Sequence, residues 1–398
     1  MKTKLLFILV VVAALIGGLV SAACGPTEAK PSIKVGVLLD RTGPMATSEA
    51  ESLHGIELAF NESNYEVAGR EIELTVEDYA GDPALCLTKV KKLREMDGVD
   101  LIIGPYLTSA GLAIRDYIHE NKLLTIFHIC SSPAFMEDEA SPYIFRSSYN
   151  SANQGTAVGA YIAYEVKGYR KAVCMALDYT AGYDEVAGFK EVFEGLGGEV
   201  IQEIYTPMGT LDYGTEVLKI DVENADFVWS FHFGGDAIRL VQALDDYGIK
   251  AMLPMFVTAA TVELSWLAPM GDSALGIESV SHYSEALNTT ENMRFAQAIW
   301  DEYQEDATLM SEHGYVAARM AILALQEVDG DVDDVDGLIE ALENLEFEAP
   351  RGPITFELHS PVHNVYYRVV ERVNGDLQNT VIDTYPDIGP YWLPPELQ

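Results

Sequence analysis

The sequence predicts an α/β protein built as two doubly wound parallel-sheet lobes, and three observations lead there. With 398 residues the chain exceeds what one ordinary core accommodates. Short apolar strands alternate with helical segments, the rhythm of parallel sheets covered on both faces. That rhythm runs to about Tyr149 and then begins again, so two such blocks follow one another.

In the first block, Ile33–Leu39 (IKVGVLL) is a continuous apolar strand, followed by a turn at Thr42-Gly43-Pro44. Leu53, Ile56, Ala59 and Phe60 fall on one face of a helix over Ser48–Asn61. Glu71–Glu77 alternates as a strand. Asp82 and Pro83 supply an N-cap and a first-turn proline for a helix reaching Met96. Strand Leu101–Ile103, helix Ser109–Asn121 and strand Leu123–Ile129 complete the block.

The second block opens with a helix over Gln154–Val166 and a strand at Ala172–Leu177. Helix Asp184–Leu196 and strand Glu199–Tyr205 come next, then strand Phe227–Phe231, helix Asp236–Tyr247 and strand Met252–Val257. The C-terminal third offers helices near Thr290–Tyr303, His313–Val328 and Val335–Leu345, then strands at Ile354–Phe356 and Val365–Val373. Such pieces complete existing sheets more readily than they form a third core. The chain is therefore expected to cross between lobes more than once, which makes a hinge and a closing cleft. In open sheets of this kind, ligands bind at the carboxyl ends of the strands.

The N-terminus has a separate character. Two lysines within Met1–Lys4, an apolar run over Leu5–Val20 and the small residues Ser21-Ala22-Ala23 have the order of a secretory signal. Cys24 stands where a bacterial lipoprotein signal places its modified cysteine, although Ser21 occupies the position where Leu is usual. Residues 1–23 are expected to be a signal peptide and 24–31 a lipidated tether, with attachment through acyl chains. Plain cleavage near Ala23 and an uncleaved anchor are the alternatives. An exported protein held on the outer side of the cytoplasmic membrane, or in the periplasm, follows.

Acidic residues outnumber basic ones 62 to 25, a formal charge of −37. A surface of that sign repels nucleic acid and anionic headgroups, so neither is an expected partner. Cys86, Cys130 and Cys174 have no metal-type spacing and read as buried small hydrophobes. Phosphate-loop, nucleophile-elbow and zinc-helix motifs are missing, and the eight histidines are scattered. Together with export, this points to binding without catalysis, cofactor or metal. Asp329–Glu340 (DGDVDDVDGLIE) has the acidic spacing of a calcium loop, but Asp334 stands where such a loop needs glycine. Its simpler reading is an acidic turn in which Asp333 or Asp334 caps the next helix. His128 either lines the cleft or is a satisfied core histidine.

Two loops after strands carry the functional signal. Tyr106-Leu107-Thr108-Ser109 and Ile129-Cys130-Ser131-Ser132-Pro133 are hydroxyl-rich and open helices. Their hydroxyls and free backbone amides can grip a carboxylate, or the hydroxyls can simply cap the helices.

The chain from Ile33 to about Ile388 resembles the leucine/isoleucine/valine-binding proteins of type I periplasmic binding architecture. Its landmarks are Asp78-Tyr79-Ala80-Gly81-Asp82-Pro83, Ile103-Gly104-Pro105, Phe145-Arg146-Ser147, Asp226-Phe227-Val228 and Arg351-Gly352-Pro353-Ile354-Thr355-Phe356. The resemblance implies a three-strand hinge with crossovers near Ser147, Val280 and Leu358. Lobe one is then 32–147 with 281–358, and lobe two is 148–280 with 359–398. It also implies carboxylate-binding hydroxyls at Thr108 and Ser131, a carbonyl at Ile129 that meets a ligand amino group, and a lobe-two aromatic at Phe233.

Two positions depart from the pattern. The acidic partner of a ligand ammonium falls on Val257, and the aromatic beside the lobe-two turn glycine is Ala181, for which Tyr179 or Tyr183 can substitute. A buried ammonium without a partner costs several kcal/mol, so these departures lean from a branched-chain amino acid towards a hydrophobic or aromatic carboxylate. The stretch from Arg351 to Asn364-Val365-Tyr366 resembles relatives that carry such acids. Arg41 is a candidate balancing cation, or else a surface arginine. The expected mechanism is capture on lobe one by Thr108, Ser109 and Ser131, followed by closure of Tyr179, Tyr183, Phe233 and Phe256 over the ligand. Membrane-embedded permease subunits of an ABC transporter would recognise the closed form; delivery of a signal to a receptor is the alternative.

Overall fold

The structure is a computed structural model that describes residues 30–136, 140–151 and 154–398. The expected signal segment, Cys24 and most of the tether lie outside the described residues. Among those described, no helix is long and apolar enough to cross a membrane.

The first lobe is organised by β1 (Ile33–Leu39), whose apolar residues leave no room for a solvated face. It pairs in parallel with β3 (Arg70–Asp78) and β4 (Leu101–Ile103), so that Val35 lies between Leu74 and Leu101. β5 (Thr125–Phe127) and β6 (Ile144–Arg146) extend the parallel sheet, while the short β2 (Glu66–Val67) adds an antiparallel edge. Helices α1 (Ala46–Glu62), α2 (Pro83–Lys92) and α3 (Thr108–Asn121) cover this sheet. The Asp82 side chain accepts from the amides of Ala84 and Leu85, with Pro83 in the first turn as expected.

After β6 the chain passes into α4 (Gln154–Tyr161) and β7 (Lys171–Leu177) of the second lobe. There β7, β8 (Glu199–Thr206), β9 (Phe227–Phe231), β10 (Met255–Thr258) and β11 (Glu278–Ser281) run parallel. Helix α5 (Thr180–Gly195) follows β7, a single turn α6 (Gly214–Val217) follows β8, α7 (Gly234–Asp246) follows β9, and α8 (Leu264–Met270) follows β10.

Beyond β11 the chain returns. Helices α9 (Thr290–Tyr303), α10 (Leu309–Glu327) and α11 (Val335–Glu343) share one apolar core with β1 and α1. Strands β12 (Phe347–Ala349) and β13 (Gly352–Glu357) lead into β14 (Ser360–Val373), which joins the second sheet beside β11. The C-terminal third thus adds helices to the first-lobe core and strands to the second sheet, and forms no core of its own.

Several expectations shift in detail. The second sheet is not wholly parallel: β14 runs antiparallel to β11 and to β15 (Asp376–Ile388). The polar β15 carries Pro386 and lies at the edge, so no apolar period marks it. Helix α5 begins four residues earlier than the charge pattern suggests, because Tyr179 is extended and starts the turn without a side-chain cap. Helix α10 likewise starts at Leu309, where Thr308 and Ser311 form a capping box. In the acidic turn, Gly337 N donates to Asp334 Oδ1 at 3.0 Å, so Asp334 is the helix cap. Cys86, Cys130 and Cys174 are buried free thiols.

Candidate ligand-binding site

A cavity lies where the strand ends of the two lobes meet. Its lobe-one wall comes from the loops after β4 and β5. Tyr106, Leu107 and Thr108 line it from the first, and Ile129 and Ser131 from the second. Thr108 opens the first turn of α3 after Leu107, which provides no side-chain cap. Ala110 N and Gly111 N donate to the Leu107 carbonyl, so the Thr108 and Ser109 amides are left for another acceptor, beside the Thr108 hydroxyl.

Buried groups fix the two loops. The Cys130 thiol lies within 3.2 to 3.5 Å of the carbonyls of Pro105, Tyr106 and Leu107, so it ties one loop to the other from behind. Arg146, only 2% exposed, donates through Nη1 to the carbonyls of Ser131 (2.9 Å), Ser132 (3.1 Å) and Tyr149 (3.3 Å). Its Nε donates to Ser360 Oγ at 2.7 Å. These acceptors are all neutral, and burial lowers the guanidinium pKa to about 10. It stays charged near neutrality, placing a positive charge directly behind Ser131.

The lobe-two wall is mainly aromatic. Tyr179 ends the β7 loop, and Phe231 and Phe233 bracket the end of β9. The Tyr179 and Phe233 rings meet edge to face at 5.9 Å, and Phe231 and Phe233 at 6.0 Å. Edge-to-face contacts of this kind hold rings in fixed positions. Ala181 lies beneath them, and Glu185, one turn further along α5, reaches the cavity on the same helix face. Thr156 Oγ1 donates to Glu185 Oε2. Desolvation by burial raises the Glu185 carboxyl to about 8. Tyr149, His282 and His313 close the hinge side. Burial holds both imidazoles well below the usual histidine pKa, hence neutral.

Of the residues expected at the site, the structure brings Tyr106, Thr108, Ile129, Ser131, Tyr179, Ala181 and Phe233 together around the cavity. The others are placed elsewhere, each for a physical reason. Arg41 is exposed and its amide donates to Asp78 Oδ1, so it does not reach the cavity, and Arg146 supplies the nearby cation instead. Ser109 is one residue further into α3 and does not line the wall. Cys130 points behind the loops, and Ser132 Oγ caps the short turn after it by accepting from Ala134 N. Tyr183 is 46% exposed and donates to Asp178. Phe256 is a core ring against Trp229 and Tyr367, and Val257 is fully buried in the second-lobe core. The Ile129 carbonyl already accepts from Ser148 Oγ at 3.1 Å. His128 is a core histidine bonded to Glu49 Oε1 at 2.7 Å.

Tyr149, Thr156, Glu185, His282 and His313 escaped sequence reasoning. Glu185 sits one helical turn after Ala181, a spacing that could have flagged it; the others come from chain crossings, which leave no local signal. Among the described residues, His282, Glu312 and His313 bring metal-ligand atoms within 4.8 Å of one another. Arg351 holds both oxygens of Glu312, however, and its charge opposes a cation there.

Comparison with known proteins gives the family. The sequence profile described as "Periplasmic binding protein" matches residues 32–376. An ABC transporter substrate-binding protein from Sphaerobacter thermophilus is 34% identical, with a TM-score of 0.87, covering 91% of this chain and 100% of that one. A solute-binding protein of an ABC transporter from R. palustris, solved in complex with 4-hydroxybenzoate, is 28% identical with a TM-score of 0.85, covering 90% and 98%. The Leu/Ile/Val-binding protein homolog 6 of Brucella melitensis is 26% identical over 364 residues, 90% of this chain and 92% of its own. The chain belongs to the periplasmic binding protein family, in its type I, Leu/Ile/Val-binding branch, whose members bind solutes rather than transform them.

Proposed function

We propose that this protein is the extracytoplasmic solute-binding subunit of an ABC uptake transporter, and that it captures a small aromatic carboxylate. The observation that carries this reading is the polarity of the cavity. One end has the Thr108 and Ser131 hydroxyls backed by the buried Arg146 charge, and the opposite wall is a cluster of aromatic rings. A flat acid satisfies both ends at once. The Ile129 carbonyl, which the resemblance offered to a ligand amino group, already accepts from Ser148 Oγ. The 4-hydroxybenzoate complex of the R. palustris relative supports the same ligand class.

Capture proceeds by closure of lobe two (148–280 with 359–398) onto lobe one (32–147 with 281–358). The ligand favours the closed form because it contacts both walls only there. Permease subunits recognise that form, and a lipid on Cys24 keeps the protein at the membrane.

The test is a thermal-shift screen of benzoate, hydroxybenzoates and branched-chain amino acids. Ligands that bind the native state raise the unfolding temperature. Aromatic acids are expected to raise it; a shift produced by amino acids alone overturns the ligand assignment.

A further inference from the structure

Among the described residues that line the cavity, Glu185 is the one acidic side chain, and no lysine or arginine joins it. It is 1% exposed. The groups around it come from several elements. Asp184 adjoins it on α5, Thr156 donates to it from α4, and the Tyr149 hydroxyl approaches from the crossover after β6. Tyr179 also feels its charge. The same Tyr149 hydroxyl lies within hydrogen-bonding reach of Ser131, and its ring rests 5.3 Å from that of His282. The Tyr149 hydroxyl therefore links Glu185 to Ser131 at the hydroxyl end of the cavity. A carboxylate ligand held there would meet a second carboxylate if Glu185 were ionised. Two like charges in a buried site cannot both persist at little cost, so one of them retains a proton.

We propose that the Glu185 carboxyl and the Tyr149 hydroxyl extend the anion-binding end of the cavity, with Glu185 donating its own proton to the ligand carboxylate, so that capture is proton-linked. The inference rests on the anionic ligand proposed above. The elevated pKa of Glu185 fits this role, since near neutrality most empty protein already carries the proton. The proton remains on Glu185 as an O–H···O⁻ bond to the ligand. Above the carboxyl's pKa, each binding event must take a proton from solvent. The sign is diagnostic: an anionic ligand binds more weakly as pH rises, whereas an ammonium ligand at the same carboxyl would bind more tightly.

Calorimetric titration of benzoate into the wild type and Glu185→Gln, between pH 6 and pH 9 and in buffers of different ionisation enthalpy, tests this. Wild-type affinity is expected to fall about tenfold from pH 7 to pH 9, as a single group with a pKa of about 8 requires. Proton uptake should appear on binding at the higher pH, and the slope should vanish in Glu185→Gln. Benzoate affinity that is flat with pH in the wild type, or that keeps its slope in Glu185→Gln, overturns the proton linkage while leaving the ligand class standing. Affinity that rises with pH for an amino acid, with no benzoate binding at any pH, overturns the ligand class and the proposal with it.

Discussion

Arg351 and Glu312 face each other with both side chains wholly buried: Nε donates to Oε1 at 2.7 Å and Nη2 donates to Oε2. The Nη1 of the same guanidinium donates to the carbonyls of Ser147 (2.9 Å) and Ser148 (3.3 Å), just past β6, and meets His363 Nδ1 on β14. One arginine thus ties α10 to two of the strands that run between lobes. Removing one member of a buried pair leaves the other charge unpaired, which costs about 3 to 5 kcal/mol. Arg351→Met is expected to lose stability of that order in urea denaturation. Arg351→Met with Glu312→Leu should recover part of the loss, because neither charge then remains. A double variant no more stable than the single one would refute this account.

The contact between α1 and α10 is backbone against backbone. A Cβ added at Gly55 would lie 1.8 Å from the Ser311 carbonyl oxygen, and one at Gly314 would lie 2.0 Å from that of Ser52. Neither neighbour is a flexible side-chain tip, so the helices themselves must separate. Gly55→Ala and Gly314→Ala are each expected to destabilise the fold by about 1 to 3 kcal/mol or more. Helix propensity alone would predict a small gain. Thermal unfolding decides between the two, and a raised midpoint in either variant would mean that the helices yield easily.

How much could be read in advance follows from the range of each signal. The IKVGVLL strand, the Asp82-Pro83 helix start and the alternation of the two blocks are local patterns, and they stand where the sequence puts them. The hydroxyl loops at Thr108 and Ser131 follow from strand-to-helix order in the same way. Cys130, Phe256 and Val257 are close to the site in sequence, but the Cys130 thiol turns behind the loops, and the adjacent Phe256 and Val257 pack into two different apolar cores. Tyr149, His282 and His313 converge from segments far apart in the chain, and no local period records such a crossing.

His232 gives a pH dependence of its own. Its ring is buried, with Nε2 2.9 Å from Thr206 Oγ1 and Nδ1 2.9 Å from Ser230 Oγ. Desolvation lowers its pKa to about 3. Between that value and the unfolded value near 6.5, the unfolded chain binds more protons than the native one. The stability linked to His232 is therefore complete above about pH 6.5 and declines as pH falls towards 3, by about 1.4 kcal/mol per unit. Glu185 acts oppositely: its folded pKa lies above the unfolded one, so its contribution weakens as pH rises from about 4.5 to about 8. The stability gap between wild type and His232→Asn, measured in urea, should narrow on acidification from pH 6.5 to pH 4. A gap independent of pH would show that His232 does not carry this linkage.

Ligand affinity should depend on the lobe-one hydroxyls more than on any surface charge. Thr108 and Ser131 are both buried at the cavity wall, and Arg146 secures the Ser131 backbone from behind. A hydroxyl that donates to a carboxylate contributes about 1.5 to 3 kcal/mol, roughly a ten- to hundredfold change in Kd. Thr108→Ala and Ser131→Ala are each expected to weaken binding of an aromatic carboxylate within that range, while the unfolding midpoint without ligand moves little. Arg41→Ala serves as the comparison, because that side chain is exposed and does not line the cavity. Its effect on affinity should be small and should fade as salt screens the surface field. If Arg41→Ala weakened binding as strongly as Ser131→Ala at high salt, the ligand's negative end would lie at the loop after β1, and the hydroxyl end described here would be misplaced.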